Sequence, residues 1–122
     1  MRFIHVSDVH LGMVPDKGKQ WSDIRAKEIE DTFDKILEAA EEKKVDLLLI
    51  AGDLYHSAPK STDLAKLDDR LAKLTNTRTV IIAGSSDHIE KDSPSDTYEF
   101  RSNTVILPAG EINNAYFEDI DT

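Results

Sequence analysis

A near-continuous hydrophobic run at residues 45–50, Val-Asp-Leu-Leu-Leu-Ile, constrains the fold more than any other stretch of this sequence. A strand with one face in water alternates apolar and polar side chains, whereas this run is apolar at every position but one. Such a run is typical of a central strand in a parallel sheet whose faces are covered. It ends in Ala51-Gly52-Asp53, so a carboxylate directly follows a strand that we expect to be buried.

Two further apolar runs, at residues 2–6 and 78–82, lie on either side of this strand along the chain, and a helical pattern fills each gap. In residues 22–44 one helical face carries the apolar side chains Ile29, Phe33, Ile36, Leu37 and Ala40. In residues 61–74 leucines recur every three or four positions. Alternating strands and helices predict an α/β fold, built as a right-handed βαβαβ unit with a parallel sheet.

The pattern weakens after residue 88, where it predicts a short helical turn at 96–100 and short C-terminal strands at 104–107 and 115–117. The length of 122 residues predicts a single domain, 1–122. No run approaches the ~20 apolar residues of a membrane span, and the N-terminus lacks the layout of a signal peptide. With no cysteines either, we expect a cytoplasmic protein without membrane contact.

The net charge of −9 bears on the class of function. A domain that holds a long nucleic acid by itself carries a stripe of basic residues, and the sequence shows no such stripe. An acidic chain can still process phosphodiesters when bound cations supply positive charge at the site. Otherwise the acidic residues, most of them on helix faces, simply keep the protein in solution.

Polar side chains follow all three strands of the predicted unit. The first strand ends in Asp8-Val9-His10, the second in Gly52-Asp53, and the third in a segment that runs from Gly84 to His88. Parallel sheets place their sites at the carboxyl ends of the strands, and alternate side chains of extended chain point the same way. Asp8 and His10 can therefore reach one ion, and this donor pair suits Mn, Fe, Zn or Mg. By itself, this pair also fits an aspartate that caps a turn beside a solvated histidine. The presence of polar or metal-competent residues at all three strand ends favours a metal or phosphate site.

The segments FIHVSDVHLG, VDLLLIAGDLYH and TVIIAGSSDHI resemble the calcineurin-like metallophosphoesterases, and most of all the N-terminal part of SbcD-like DNA repair exonucleases. The resemblance implies the first half of an α/β/β/α sandwich and a two-metal phosphodiesterase, with Mn²⁺ as the expected ion. Asp8 and His10 would hold the first ion, and Asp53 would bridge both. It also implies a DNA phosphodiester substrate and an SbcC-like ATPase partner.

The third motif departs from this family, which has Gly-Asn-His followed by an acidic residue where this chain has Gly84-Ser85-Ser86-Asp87. Ser85 then takes the place of a second-metal ligand and is a poorer donor. Ser86 takes the place of the catalytic histidine and cannot act as an acid near neutral pH. His88 is the candidate substitute for that histidine, and Asp87 matches the family and orients the turn.

Four histidines are present, and none follows His88, whereas the family has further histidine ligands downstream. We expect His56 to contact substrate or a metal ligand, and His5 to face the core or a helix. Trp21, in the long loop at residues 7–23, is expected to pack over the core. Because this set of metal ligands is incomplete, the two ions of the family can be reduced to one or none. We expect the phosphodiesterase activity to be weak or absent.

Half of a sandwich would leave one sheet face bare and apolar, so either the chain associates with itself or it is a fragment of a longer protein. Of the two, we expect a homo-oligomer that pairs these faces. Three functions stay open at this point. The chain is part of a metal-dependent nuclease, or a non-catalytic module that binds a metal or a partner. The third option is a phosphate-binding domain that uses Ser85, Ser86 and backbone amides.

Overall fold

The computed structural model describes residues 1–84, 93–107 and 116–118. Within these ranges the chain forms, in order, β1 (Phe3–Val6), α1 (Ser22–Glu42), β2 (Leu47–Ala51), α2 (Ser61–Leu71), β3 (Arg78–Ile82), α3 (Pro94–Thr97) and β4 (Thr104–Leu107). The βαβαβ unit predicted from the apolar runs is confirmed, and β4 lies where the first C-terminal strand was expected.

The four strands form one sheet in the order β1-β2-β3-β4, and every neighbouring pair is parallel. The register aligns Val6 with Ile50, Ile50 with Ile81, and Ile81 with Ile106. Because all strands point the same way, their carboxyl ends meet at one edge of the sheet. The segments that carry Asp8, Asp53 and Gly84 all leave the sheet at that edge.

Helices α1 and α2 cover one face of the sheet and share a single core with it. The best-buried side chains of that core come from all three layers: Phe33 of α1, Leu48 and Ile50 of β2, and Leu67 of α2, each 2% exposed or less. Arg70 of α2 forms ion pairs with two residues of α1. Its guanidinium nitrogens lie 2.8 Å from a Glu30 oxygen and 2.7 Å from an Asp34 oxygen. Its guanidinium also lies 4.7 Å from the centre of the Phe33 ring.

The opposite side of the sheet, here called the second face, carries no helix among the described residues. The strand side chains that point to it are Phe3, His5, Leu47, Leu49, Ala51, Arg78, Val80, Ile82, Val105 and Leu107. Phe3 and Ile82 are 58% and 41% exposed, whereas Leu47 and Val80 are 7% and 9% exposed. The expectation that His5 faces the core or a helix is wrong, because His5 lies exposed on this face.

Asp68 of α2 is 3% exposed and fixes the chain that leads into β4. Its carboxylate accepts hydrogen bonds from the backbone amides of Arg101 and Ser102, both at 2.9 Å, and from the Tyr98 hydroxyl at 3.2 Å. Burial alone would raise the pKa of Asp68, but these hydrogen bonds hold it below its ordinary value. The same burial and the Asp68 carboxylate raise the pKa of Tyr98.

Several element boundaries differ from the sequence prediction. β2 begins at Leu47 rather than at residue 45, and α2 ends at Leu71, although Leu74 beyond it is still buried. The helical turn expected at 96–100 lies at Pro94–Thr97, because proline suits the first helical position. Of the strand expected at 115–117, residue 115 lies outside the described ranges, and Tyr116 and Phe117 are not in a strand.

Candidate metal centre

The segments that follow β1 and β2 are hydrogen-bonded to each other through their backbones. The amide of Asp8 donates to the carbonyl of Gly52 at 3.1 Å, and the amide of His10 donates to the carbonyl of Asp53 at 3.0 Å. One residue further on, Leu11 donates to Leu54 at 2.7 Å and forms a parallel bridge with Tyr55. The two site segments are therefore held in register beyond the end of the regular sheet.

Asp8, His10 and Asp53 all have left-handed backbone conformations, with φ values of 54°, 55° and 49°. This region is uncommon for residues other than glycine, and Asp and His are among the types that tolerate it best. Each such residue costs of order 1–3 kcal/mol and persists only where its surroundings enforce it. The backbone hydrogen bonds to Gly52 and Asp53 enforce it here, and the result is that three polar side chains turn toward one place.

One donor atom each from Asp8, His10 and Asp53 lies within 4.8 Å of the other two. Donors that share an ion at 2.0–2.2 Å lie at most about 4.4 Å apart, so small side-chain rotations bring all three onto one ion. Two carboxylates and an imidazole are a donor set that divalent first-row metals and Mg²⁺ accept. Asp8 is exposed, and the other two are half-buried, which leaves the group open on one side.

His56 lies against His10. Their Nδ1 atoms are 3.5 Å apart, and the two rings meet edge-on, with centroids 5.6 Å apart at 62°. The amide of His56 donates to the carbonyl of Leu11 at 2.9 Å, which fixes its backbone beside the candidate ligands. A histidine that binds a metal through one ring nitrogen usually pairs the other with a polar group, and His56 is in place to be that group.

Gly84, directly after β3, packs against Asp53 so closely that no side chain fits there. A Cβ atom at this residue would lie 2.6 Å from the amide nitrogen of Asp53 and 2.8 Å from its Cγ. The amide of Gly52 also donates to the carbonyl of Ile82, at 2.8 Å. The third strand end therefore supports Asp53 from the side opposite β1. This contact was not foreseeable from the residue pattern, because it depends on the separation of two strand ends.

A cavity of about 540 Å³ opens next to Asp8, between the loop and α1. Its polar lining comes from Ser7, Asp8, Arg25, Glu28 and Thr32. Arg25 does not stand out in the sequence, since one arginine on a helix rich in charged residues carries no distinguishing pattern. The expectation that Trp21 packs over the core is wrong, because Trp21 is 47% exposed and its Nε1 donates to Asp16 at 2.8 Å.

Four predicted site residues, Ser85, Ser86, Asp87 and His88, lie outside the described residues. Among the described ones, Asp8, His10, Asp53 and His56 are brought together at the carboxyl edge of the sheet. Within the described ranges, neither α1 nor α2 has a segment apolar and long enough to cross a bilayer, and the same is true of the short α3.

Comparison with known proteins gives one family and several related nucleases. Residues 1–121 match the calcineurin-like phosphoesterase family. The chain is 35% identical over 91 residues to the DNA double-strand break repair protein Mre11 of Methanopyrus kandleri, an alignment that covers 72% of this chain and 19% of the relative. It is 30% identical over 114 residues to the SbcD component of the nuclease SbcCD from Escherichia coli, covering 90% of this chain and 27% of that protein.

A solved structure shares the fold. The nuclease MPE of Pseudomonas putida superimposes with a TM-score of 0.53 at 27% identity, over 86% of this chain and 48% of that one. The chain therefore spans about a fifth to a quarter of the Mre11 and SbcD relatives and about half of the solved nuclease.

Proposed function

This chain belongs to the calcineurin-like phosphoesterase family, and from that premise we propose that it is the metal-binding part of an Mre11- or SbcD-like nuclease with weak or no activity of its own. The observation that supports this most directly is the convergence of donor atoms from Asp8, His10 and Asp53 within 4.8 Å. The substrate in this proposal is a DNA phosphodiester, as the names of the relatives suggest.

In the proposed site, Asp8 and His10 would hold one divalent ion, and Asp53 would serve both this ion and a second. When bound, the ion, for which we propose Mn²⁺, would supply Lewis acidity for hydrolysis of the phosphodiester. The left-handed backbone of the three ligands turns them toward one place, so that only small side-chain rotations are needed for them to share an ion. His56 orients the His10 ring and lies near enough to the site to contact a substrate phosphate.

Protonation of the leaving oxygen is the weak step of this proposal. Ser86 stands where the family has histidine, and a serine hydroxyl is too weak an acid at neutral pH to serve. The loss of general acid catalysis costs roughly 10²–10⁴ in rate, unless His88 replaces it. Ser85 is likewise proposed as a poor ligand of the second ion, and Asp87 as the residue that orients this turn.

The substitutions in this turn favour a second candidate function, that of a non-catalytic module that binds a metal or a partner. In either case we propose association through the second face, where Phe3 and Ile82 are exposed, with another copy of the chain. Static light scattering that shows a monomer at high protein concentration would contradict this association. An SbcC-like ATPase as partner and a cytoplasmic location belong to the same proposal.

Titration calorimetry with Mn²⁺, followed by hydrolysis of bis-p-nitrophenyl phosphate, separates the candidates. For the nuclease we expect Mn²⁺ binding and slow turnover, with both lost in Asp53→Asn. The matched control is Asp31→Asn, an exposed carboxylate on α1 whose loss leaves both unchanged. Mn²⁺ binding without turnover supports the non-catalytic module instead. If Mn²⁺ does not bind, or binds equally well to Asp53→Asn, the proposed metal site is wrong.

A further inference from the structure

An exposed aromatic side chain, Trp21, lies where the loop before α1 meets the helix. Trp21 is 47% exposed and directly precedes the helix, and Ile24 in the first turn of the helix is 63% exposed. A solvent-exposed indole that is held in place has no role in the core described above. It is also the only tryptophan of the chain.

Asp16 fixes the indole and connects it to Arg25. The Asp16 carboxylate accepts the Trp21 Nε1 hydrogen bond at 2.8 Å and lies 3.6 Å from the Arg25 guanidinium. Arg25 follows Trp21 by one helical turn, and its amide donates to the Trp21 carbonyl at 3.0 Å. Indole and guanidinium are therefore neighbours on one side of the helix, as residues four apart are in any α-helix.

Arg25 and Asp8 line the same cavity, which therefore connects the surroundings of Trp21 with the candidate metal centre. Its ion pair with Asp16 is exposed on both sides, at 55% and 52%, so it is weak and readily exchanged for another anion. A guanidinium that lines the same cavity as Asp8 can bind a phosphate of a strand that enters this cavity.

The local charge is opposite in sign to that of the whole chain. From Asp16 to Glu28 the charged side chains are all exposed, four of them cationic (Lys17, Lys19, Arg25 and Lys27) and three anionic (Asp16, Asp23 and Glu28). The chain as a whole carries −9. Cationic side chains beside an exposed aromatic ring are the combination by which proteins bind single-stranded nucleic acid.

We propose that Trp21 and Arg25 form a nucleotide subsite beside the metal centre, in which the indole stacks on an unpaired base and the guanidinium binds its phosphate. The proposal rests on the proposed function for the position of the scissile phosphate. Such a subsite selects single strands or frayed ends, because the faces of a base inside a duplex are already covered by neighbouring bases.

The fluorescence of Trp21 reports on this subsite without any turnover. Titration with an eight-residue thymidine oligonucleotide, in buffer with Ca²⁺ and separately with EDTA, is expected to quench the emission. A blunt duplex and a strand of abasic deoxyribose phosphates carry the same type of backbone charge and should quench far less. Because EDTA removes bound metal, quenching that survives it would support the subsite even if the metal proposal failed.

Variants then separate stacking from charge, with affinity read from the anisotropy of a labelled oligonucleotide. Trp21→Ala is expected to weaken binding roughly 5- to 100-fold, as loss of one stacked base does, and Trp21→Phe much less. The matched control Tyr116→Ala removes an aromatic side chain that is 67% exposed and lies outside this loop and helix, and should leave the affinity unchanged. Arg25→Gln should reduce the salt dependence by about one phosphate contact, whereas Lys35→Gln on the same helix should not.

Three results would overturn the subsite. The first is oligonucleotide binding without quenching of Trp21. The second is equal quenching by duplex and single strand. The third is emission that changes with protein concentration but not with oligonucleotide, which would mean that a second copy of the chain covers the indole. Failure of the metal proposal would give a different result: Mn²⁺ would not bind, but the oligonucleotide would still quench the emission of Trp21.

Discussion

Two groups of polar residues in this molecule differ in how they affect the stability of the fold. At the carboxyl edge of the sheet, Asp8, His10 and Asp53 have unfavourable backbone conformations and are held by amide–carbonyl hydrogen bonds between neighbouring segments. On α2, by contrast, Asp68 is buried in a regular helix and accepts hydrogen bonds from Tyr98 and from the amides at 101 and 102. The residues of the metal centre therefore lower the free energy of unfolding, whereas the hydrogen bonds of Asp68 raise it. Substitutions in the two groups should change stability in opposite directions.

The largest expected effect is on the Asp68 side. Asp68→Ala leaves three donors without their acceptor and should lower the free energy of unfolding by about 3 kcal/mol. Affinity for Mn²⁺ of the folded protein should not change. Urea denaturation and calorimetry measure the two quantities. Asp69→Ala is the control, since it removes an adjacent but exposed carboxylate and should stay within about 0.5 kcal/mol of the parent.

At the metal centre, Gly84→Ala should act mainly on ion binding. The new Cβ would overlap the Asp53 amide and carboxylate, so Asp53 must move. We therefore expect affinity for Mn²⁺, measured by titration calorimetry, to fall at least about 10-fold, or roughly 1.4 kcal/mol.

Gly18→Ala is the control for backbone strain without a clash. Gly18 has φ +89° and no atom within 4 Å of a built Cβ, so this variant should lose stability and keep its ion affinity. Equal ion affinity in the parent and Gly84→Ala would show that the third strand end does not support Asp53.

A smaller effect of opposite sign is expected for Asp8→Gly. Glycine adopts the left-handed conformation without strain, although it loses more entropy on folding, and the metal-free protein should gain about 0.5–1 kcal/mol. Mn²⁺ binding should be lost at the same time. Thermal unfolding in EDTA measures the gain. A less stable variant would mean that Asp8 is not strained in the folded chain, and the contrast with Asp68 would fail.

The smallest effect is the pH dependence that Asp68 contributes. Its pKa in the folded protein lies below the ordinary value of 3.8, so the carboxylate stabilises the fold at every pH above that value. This contribution is lost as the pH falls through the folded pKa, because the protonated acid is a weaker acceptor. Urea midpoints should therefore fall less steeply between pH 5 and about 3 in Asp68→Asn than in the parent. Parallel curves would contradict the assignment.

The strand and helix order was predictable because three apolar runs alternate with two amphipathic segments. The meeting of Asp8, His10 and Asp53 followed from a general rule about parallel sheets. The side of the sheet on which His5 lies was not predictable, since alternation distinguishes two faces but does not say which one the helices cover. The burial of Asp68 was not predictable either, because an acidic residue on a helix rich in charged residues is expected to be solvated.

The bridge between Leu11 and Tyr55 affects how this site tolerates change. Strand-like pairing resumes there after the ligands, and Leu11 is 3% exposed, so the ligand segment is anchored at both of its ends. The residues from Gly12 to Trp21 form an excursion that begins and ends on fixed points. Ion binding should therefore tolerate insertions, deletions and substitutions in this segment, whereas nucleotide binding should not tolerate the loss of Asp16 or Trp21.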